Sequence, residues 1–394
     1  YNAFSFLCLP RFIAGQREFT DMGELTKMNQ LECPNDQTLQ EDLEKIAALP
    51  ITWDALNNST VLITGATGLI GSQLVRAILA VNRIHSSQIR ILAMVRSKDK
   101  ASQIFGNLLQ RPELEIITGD ITCPICTDHE VDYIIHTASV TTSKQFITHP
   151  VDAIEVAVRG TKNVLELAKD KRGRSVVYVS SMEVYGTVAS ADNHRTTEDE
   201  LGYIALSSVR SCYPEGKRLC ENMCVCYAAQ YGVPVKIARL SQTFGAGVSL
   251  NDNRVFAQFA KAAIAGKDIV LHTKGSSNGN YCYTADAVAG LLTILLNGEN
   301  AEAYNVVSES TTTTIAQMAQ MVSEQITGGE SRVIFDIPDN VLTYGYAPDV
   351  KLRLSSKKLE KLGWKPLIAP ELVTMYRRLI ASFKAQESTN AILG

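Results

Sequence analysis

From about residue 60 the chain alternates two rhythms of apolar residues. Short, nearly continuous apolar runs at Val61 to Thr64, Ile89 to Val95, Glu115 to Thr118, Tyr133 to Thr137, Ser175 to Ser180 and Val235 to Leu240 have the length of buried strands. Between most of them the spacing is helical, as at Leu74, Val75, Ile78 and Leu79 within Ser72 to Ala80, and again over Pro150 to Lys169 and Glu215 to Tyr231. Such alternation predicts an α/β fold built on a doubly wound parallel sheet. After about Leu240 the rhythm changes: a helix over Val255 to Ala265, a short strand Ile269 to His272, a long helix from Asp286 and a mixed tail to Phe383 predict a smaller cap. Ahead of the first strand, Thr38 to Glu41 reads TLQE, a capping-box pattern that opens a short helix ending before Pro50.

Composition removes several function classes. Of 394 residues 45% are hydrophobic and 20% charged, with a net charge of -3 and a pI near 6.1, so nucleic acid is not an expected partner. No apolar run approaches the roughly 20 residues that span a bilayer, and no membrane partner is expected. The first residues, YNAFSFLCLPRFIAG, are broken by Pro10 and Arg11 and lack the charged start and cleavage site of a signal peptide. A cytoplasmic protein is expected, with residues 1 to about 35 as an extension. The nine cysteines are scattered and odd in number, and read as reduced thiols. Cys123, Cys126 and His129 have no second CxxC at zinc spacing, and Cys220, Cys224 and Cys226 fall on a helical stretch, where cysteine acts as a small hydrophobe. No metal site is expected.

Chemistry enters at VLITGATGLIGSQLVRAILA, Val61 to Ala80, a strand, a glycine turn and a helix. Gly65, Gly68 and Gly71 form GxxGxxG, a variant of the dinucleotide fingerprint: a tight turn, backbone approach to a pyrophosphate, and close packing of helix on strand. Two later stretches strengthen it. VVYVSSMEVYG brings Ser180 and Ser181 out of a strand end, and CYPEGKRLCENM sets Tyr213 and Lys217 four apart, on one helical face. A phenol is a poor base at neutral pH, but an ammonium and an oxidised nicotinamide ring both favour phenolate, which makes Tyr213 a candidate general base. Ser181 would orient the same substrate hydroxyl.

With glycine turn, serine, tyrosine and lysine in this order, the chain resembles the extended short-chain dehydrogenase/reductases, the NAD-dependent epimerases and dehydratases of nucleotide sugars. The resemblance covers roughly Thr60 to Phe383 and rests on TGATGLIG, GDI, SSMEVYG, YPEGKR and LGWKP. It implies a Rossmann domain over 51–245, after an N-terminal extension over 1–50. A substrate-binding cap over 246–394 would follow, with some segments returning to the Rossmann domain. It implies further that Gly65, Thr67, Gly68, Leu69, Ile70 and Gly71 receive the pyrophosphate of NAD and that Asp120 and Ile121 meet the adenine. His136, Thr137, Ala138 and Ser180 would line the cofactor, beside a catalytic trio of Ser181, Tyr213 and Lys217. Met182, Glu183, Arg239, Gln242 and Arg353 would meet a nucleotide-diphosphate sugar, and a homodimer would form through Pro150 to Lys169 and Glu215 to Tyr231.

Departures from the family pattern bear on cofactor and reaction. Where NAD users commonly carry an acidic residue after the second strand, the chain has Arg96, with Lys98 and Lys100 near, so NADP is an alternative. Ala157 and Gln242 stand where relatives often have asparagine, and Gly279 where a substrate-binding arginine is common. The shared first step makes a 4-keto sugar, which can be reduced from the opposite face, lose water, or lose a C6 carboxylate. The dehydratases want an adjacent Asp-Glu pair, and here the pair is Met182-Glu183. UDP-glucuronate decarboxylases also place a glutamate there, but no arginine at 279 stands ready for a substrate carboxylate. The order of expectation is therefore epimerase, then decarboxylase, then dehydratase. An NADPH-dependent reductase and a non-catalytic dinucleotide sensor are the alternatives of other kinds, the sensor disfavoured because Tyr213 and Lys217 are both present.

Overall fold

A parallel strand is covered on both faces, and the chain supplies such strands at each expected place. The computed structural model describes residues 31–188, 194–338 and 351–393. A first helix, α1 (Gln37–Ala47), is followed by β1 (Thr60–Thr64), α2 (Leu69–His85), β2 (Arg90–Val95), α3 (Lys98–Phe105), β3 (Leu114–Thr118) and β4 (Tyr133–His136). Then come α4 (Ser143–Thr148), α5 (Pro150–Asp170), β5 (Ser175–Ser181), α6 (Cys212–Tyr231), β6 (Val235–Leu240) and β7 (Gln242–Phe244). The remainder holds α7 (Val255–Ile264), β8 (Ile269–Leu271), β9 (Asn278–Gly279), β10 (Tyr281–Tyr283), α8 (Thr284–Asn297), β11 (Ala303–Val306), β12 (Thr313–Thr314) and α9 (Ile315–Met321). Last are β13 (Val333–Phe335), β14 (Lys351–Leu352), α10 (Lys357–Glu360) and α11 (Leu372–Leu393).

Seven strands form one parallel sheet in the order β11-β6-β5-β4-β1-β2-β3. The order reverses between β1 and β4, so the crevice at the carboxyl ends of these strands is where ligands gather in an open α/β sheet. Expected and observed strands agree to within a residue or two. β11 lies at the sheet edge beside β6, while the small separate sheets, of two or three strands, carry no pattern long enough to read. No helix of the described residues is long and apolar enough to cross a membrane.

Helix α1 differs from expectation in cap and in role. Asp36 caps it, its Oδ1 accepting from the Leu39 N–H at 3.0 Å, in place of a box at Thr38 to Glu41: the helix starts one residue before Thr38. Its apolar residues Leu43 and Ile46 are fully buried in the same core as Leu74 and Ile78 of α2 and Leu291 of α8. Glu32, just ahead of it, bridges Arg83 at 2.9 Å and Arg111 at 2.8 Å, and Asp42 meets Arg378 of α11 at 2.6 Å. The described part of the expected extension is thus built into the main core; residues 1–30 lie outside the described residues.

Candidate active site

The glycine turn puts bare backbone at the switch point. Gly65 has φ +65, and a Cβ there would lie 2.8 Å from the backbone of Ala138; a Cβ on Gly71 would lie 2.3 Å from the Gly65 carbonyl oxygen. Those two glycines are required by the fold itself. Gly68 is exposed, at φ -80, and caps α2 with no side-chain hydrogen bond. The amides at Leu69 and Ile70 therefore begin a helix whose N-terminus is open to an anion, with half-buried Thr67 beside them. A pyrophosphate fits this cradle.

Around it the expected cofactor residues divide. Asp120 is exposed and accepts from the Thr122 N–H at 2.9 Å and hydroxyl at 2.8 Å, bonds that hold its carboxyl below its ordinary range, with a smaller contribution from Arg96. Ile121 is buried against Gly160. Thr137 donates to the Thr64 carbonyl at 2.7 Å, and the Ala138 N–H reaches the Thr64 hydroxyl at 3.3 Å, which fixes the strand end under the glycine turn. His136 is a correction: its ring is buried between the hydroxyls of Thr64 (2.7 Å) and Thr161 (3.5 Å), and burial pushes it down to about 3. A neutral interior imidazole does not line a cofactor crevice. Ser180 is another, since its hydroxyl is buried and bonds to Glu221 at 2.5 Å. Neighbours on a strand face opposite ways, so when Ser181 faces the site Ser180 cannot.

At the carboxyl end of β5 the structure brings together Ser181, Glu183, Arg210, Tyr213 and Lys217. The Ser181 hydroxyl accepts from the Glu183 N–H at 3.2 Å and acts to lower the Tyr213 phenol. Tyr213 stacks on Phe146 of α4 with ring centroids 4.5 Å apart. Lys217 is buried, donates to the Val179 carbonyl at 2.8 Å and lies 5.9 Å from the Tyr213 ring centroid. Burial pushes the Tyr213 phenol up to about 12 and the Lys217 ammonium down to about 8. Desolvation dominates the phenol in the protein alone, and a base at Tyr213 needs a further positive charge beside it.

Sequence reasoning missed Arg210. It lies on the short 3-10 turn Val209–Ser211, three residues before Tyr213, and grips Glu183 with two hydrogen bonds, of 3.0 and 3.3 Å. Glu183 raises and Arg210 lowers the phenol of Tyr213, so both charges are felt at the reacting group. No periodicity marks Arg210; the adjoining YPEGKR was the only local cue. Phe146 was missed for the same reason.

Substrate candidates farther out fare unevenly. Arg239 is a correction: its guanidinium is buried, held by Glu221 at 2.7 Å, the Tyr185 hydroxyl at 3.1 Å and the Glu198 carbonyl at 2.6 Å. β6 lies between β5 and β11, and a charge there must be paired inside, leaving none for a diphosphate. Gln242 is exposed at the start of β7, and Met182 is half-buried against Val184, Tyr185 and Leu352. Arg353 directly follows β14, whose Leu352 is opposite Gly279, and its Nε lies 3.4 Å from Asn278 Oδ1. A cation thus stands on the strand beside the glycine that replaces the family arginine.

Residues 61–307, which include the glycine turn, Ser181, Tyr213 and Lys217, match the family model for the NAD dependent epimerase/dehydratase family. The chain belongs to this epimerase/dehydratase family. It is an NAD-dependent enzyme of that class, similar to UDP-glucuronic acid decarboxylase 6 of Arabidopsis thaliana, 32% identical over 313 residues that span 79% of this chain and 85% of the relative. UDP-glucuronic acid decarboxylase 1 of Xenopus tropicalis is 29% identical, over 79% of this chain and 69% of its own. Among solved structures, the epimerase/dehydratase fold is shared with UDP-glucose 4-epimerase of Thermotoga maritima in complex with UDP-glucose. That structure has a TM-score of 0.68 at 19% identity, covering 83% of this chain and 99% of the other. DesIV, a dTDP-glucose 4,6-dehydratase of Streptomyces venezuelae with NAD bound, has a TM-score of 0.66 at 21% identity, covering 84% and 98%.

Proposed function

We propose that the chain is a UDP-glucuronate decarboxylase, the second of the expected reactions and not the first. The relatives favour it over the epimerase, and one observation carries it: Glu183 is held bidentately by Arg210 beside Tyr213. A bare carboxylate would repel a carboxylate substrate by about 3 kcal/mol at 5 Å and an effective dielectric near 20. Paired with Arg210, Glu183 presents no net charge, which removes the objection raised by Gly279.

In this reading Ser181 holds the sugar C4 hydroxyl and Tyr213 takes its proton. Gly65, Gly68, Gly71 and the amides of Leu69 and Ile70 would hold an oxidised dinucleotide, which would supply hydride transfer at C4 and a positive charge that offsets the burial of Tyr213. The C4 ketone makes the C6 carboxylate a β-keto acid. Its C5–C6 bond breaks, the electron pair passes toward the C4 oxygen, and carbon dioxide leaves. Tyr213 and Ser181 hydrogen-bond the enolate oxygen, and Glu183, fixed by Arg210, positions the water whose proton reaches C5. Lys217 keeps the phenol's surroundings rigid and positive.

A homodimer belongs to the same proposal, supported by exposed Val151 and Ile154 on α5 and Leu219 and Val225 on α6. So does a cytoplasmic location. The test is mass spectrometry of the product from UDP-glucuronate. Loss of carbon dioxide is the expected result; an isomer of unchanged mass, or turnover of uncharged hexoses alone, would overturn the reading in favour of the epimerase.

A further inference from the structure

Lys217 is buried at the active site, and its ammonium donates to the Val179 carbonyl at 2.8 Å. One neutral carbonyl is too little to offset the cost of taking a charge out of water. Among the described residues Lys217 forms no ion pair, since the carboxylate one turn along α6, Glu221, is held by Arg239 at 2.7 Å and accepts from Ser180 at 2.5 Å. What lies beside the ammonium is an aromatic face. The ring centroid of Tyr178, on β5, is 4.8 Å from the Lys217 Nζ, nearer than that of Tyr213 at 5.9 Å.

The chain builds this contact from two periods. Tyr178 and Ser180 alternate onto the side of β5 that faces α6, and Lys217, Cys220, Glu221 and Cys224 recur at helical spacing on the side of α6 that meets them. The ring is fixed in turn: Tyr178 is buried in one core with Cys220 and Cys224 and packs on the His136 ring of β4, centroids 5.7 Å apart. The titratable groups around Lys217 are then Tyr213, Cys220, Glu221 and Cys224 on its own helix, Tyr178 on β5 and His136 on β4. His136 is held neutral by burial and its cationic form would oppose Lys217, while Glu221 lends its charge only from within its bonds to Arg239 of β6. The Tyr178 face is the close contact that favours the ammonium.

We infer that the face of Tyr178 holds Lys217 charged and in place beside the Tyr213 phenol, which makes Tyr178 a positioning residue acting through Lys217. A cation is drawn to a ring face by its quadrupole, more strongly where both are desolvated. Only the charged form gains, so removing the face lowers the pH at which Lys217 loses its proton. The inference rests on Tyr213 and Lys217 as the reacting pair and does not depend on which sugar product follows. The test is a pH titration of the Lys217 ε-carbon by NMR in the full chain made with isotope-labelled lysine, the resonance assigned by its loss in Lys217→Arg. It is run on the parent, on Tyr178→Leu, on Tyr178→Phe, and on chains carrying phenylalanines of increasing fluorination at position 178, which keep the ring's shape while draining charge from its face. The midpoint is expected to fall by about one pH unit in Tyr178→Leu, to stay with the parent in Tyr178→Phe, and to fall stepwise with fluorination. The alkaline limb of reduced-nicotinamide formation from UDP-glucuronate or UDP-glucose is expected to move with it. A midpoint that ignores fluorination would overturn the inference even where Tyr178→Leu fails to fold, because a packing role does not follow the charge of the ring face. The expected midpoints with no reduced nicotinamide from either sugar would overturn the reading of the reacting pair and support the aromatic contact alone.

Discussion

Glu221 and Arg239 meet between α6 and β6 at 2.7 Å, with side chains 10% and 6% exposed, while Glu183 and Arg210 meet beyond β5 at 3.0 Å, with 29% and 38% exposed. The chemistry of the two pairs is the same, and their surroundings give them different work. The inner pair also holds Ser180, Tyr185 and the Glu198 carbonyl, so its charge is spent inside the fold. The outer pair adjoins Ser181 and Tyr213 and keeps an open side. Position along the chain does not distinguish the two arginines, whereas the surroundings of each guanidinium do.

The comparison breaks most visibly if the inner pair is cut. Arg239→Ala leaves Glu221 buried and unpaired and is expected to cost about 3 to 5 kcal/mol of stability in urea unfolding. A loss below about 1 kcal/mol would mean the pair is not closed. Glu183→Gln should reverse that pattern: unfolding within about 1 kcal/mol of the parent, dinucleotide affinity unchanged, and turnover of UDP-glucuronate down about 100-fold to 1,000-fold. Arg210→Gln sharpens the contrast further. The account predicts a rise in KM for UDP-glucuronate of about tenfold to a hundredfold, the scale of a lost charge-assisted bond, and little change for an uncharged UDP-hexose.

The smallest effect is the pH dependence set by His136. Burial lowers its folded value to about 3 from an ordinary 6.5, so between those values the unfolded chain binds more protons and stability falls as pH drops. From pH 6.5 to 5.5 the loss from this group is about 1 kcal/mol, and His136→Gln should flatten that part of the stability profile.

The sheet and the glycine turn were legible because each is local: continuous apolar strands, helical spacing, and glycines three residues apart. Tyr213 and Lys217 were legible by their four-residue spacing on one helix. Glu183 and Arg210 are 27 residues apart and meet only through the fold, which no period records. Ser180 and His136 were knowable in part, since strand alternation already denies adjacent serines the same face. The burial of Tyr213 that drives its phenol up to about 12 is likewise a property of the packed site.

The central claim is that the Glu183 and Arg210 pair serves loss of a carboxylate and return of a proton to C5. The most direct measurement is the reaction of UDP-glucuronate in heavy water, with the products of the parent and of Glu183→Gln compared by NMR and mass spectrometry. The account predicts a UDP-pentose with one deuterium at C5 from the parent and little of it from Glu183→Gln. A C4 epimer that keeps its carboxylate and carries no deuterium at C5, formed equally by both proteins, would contradict it.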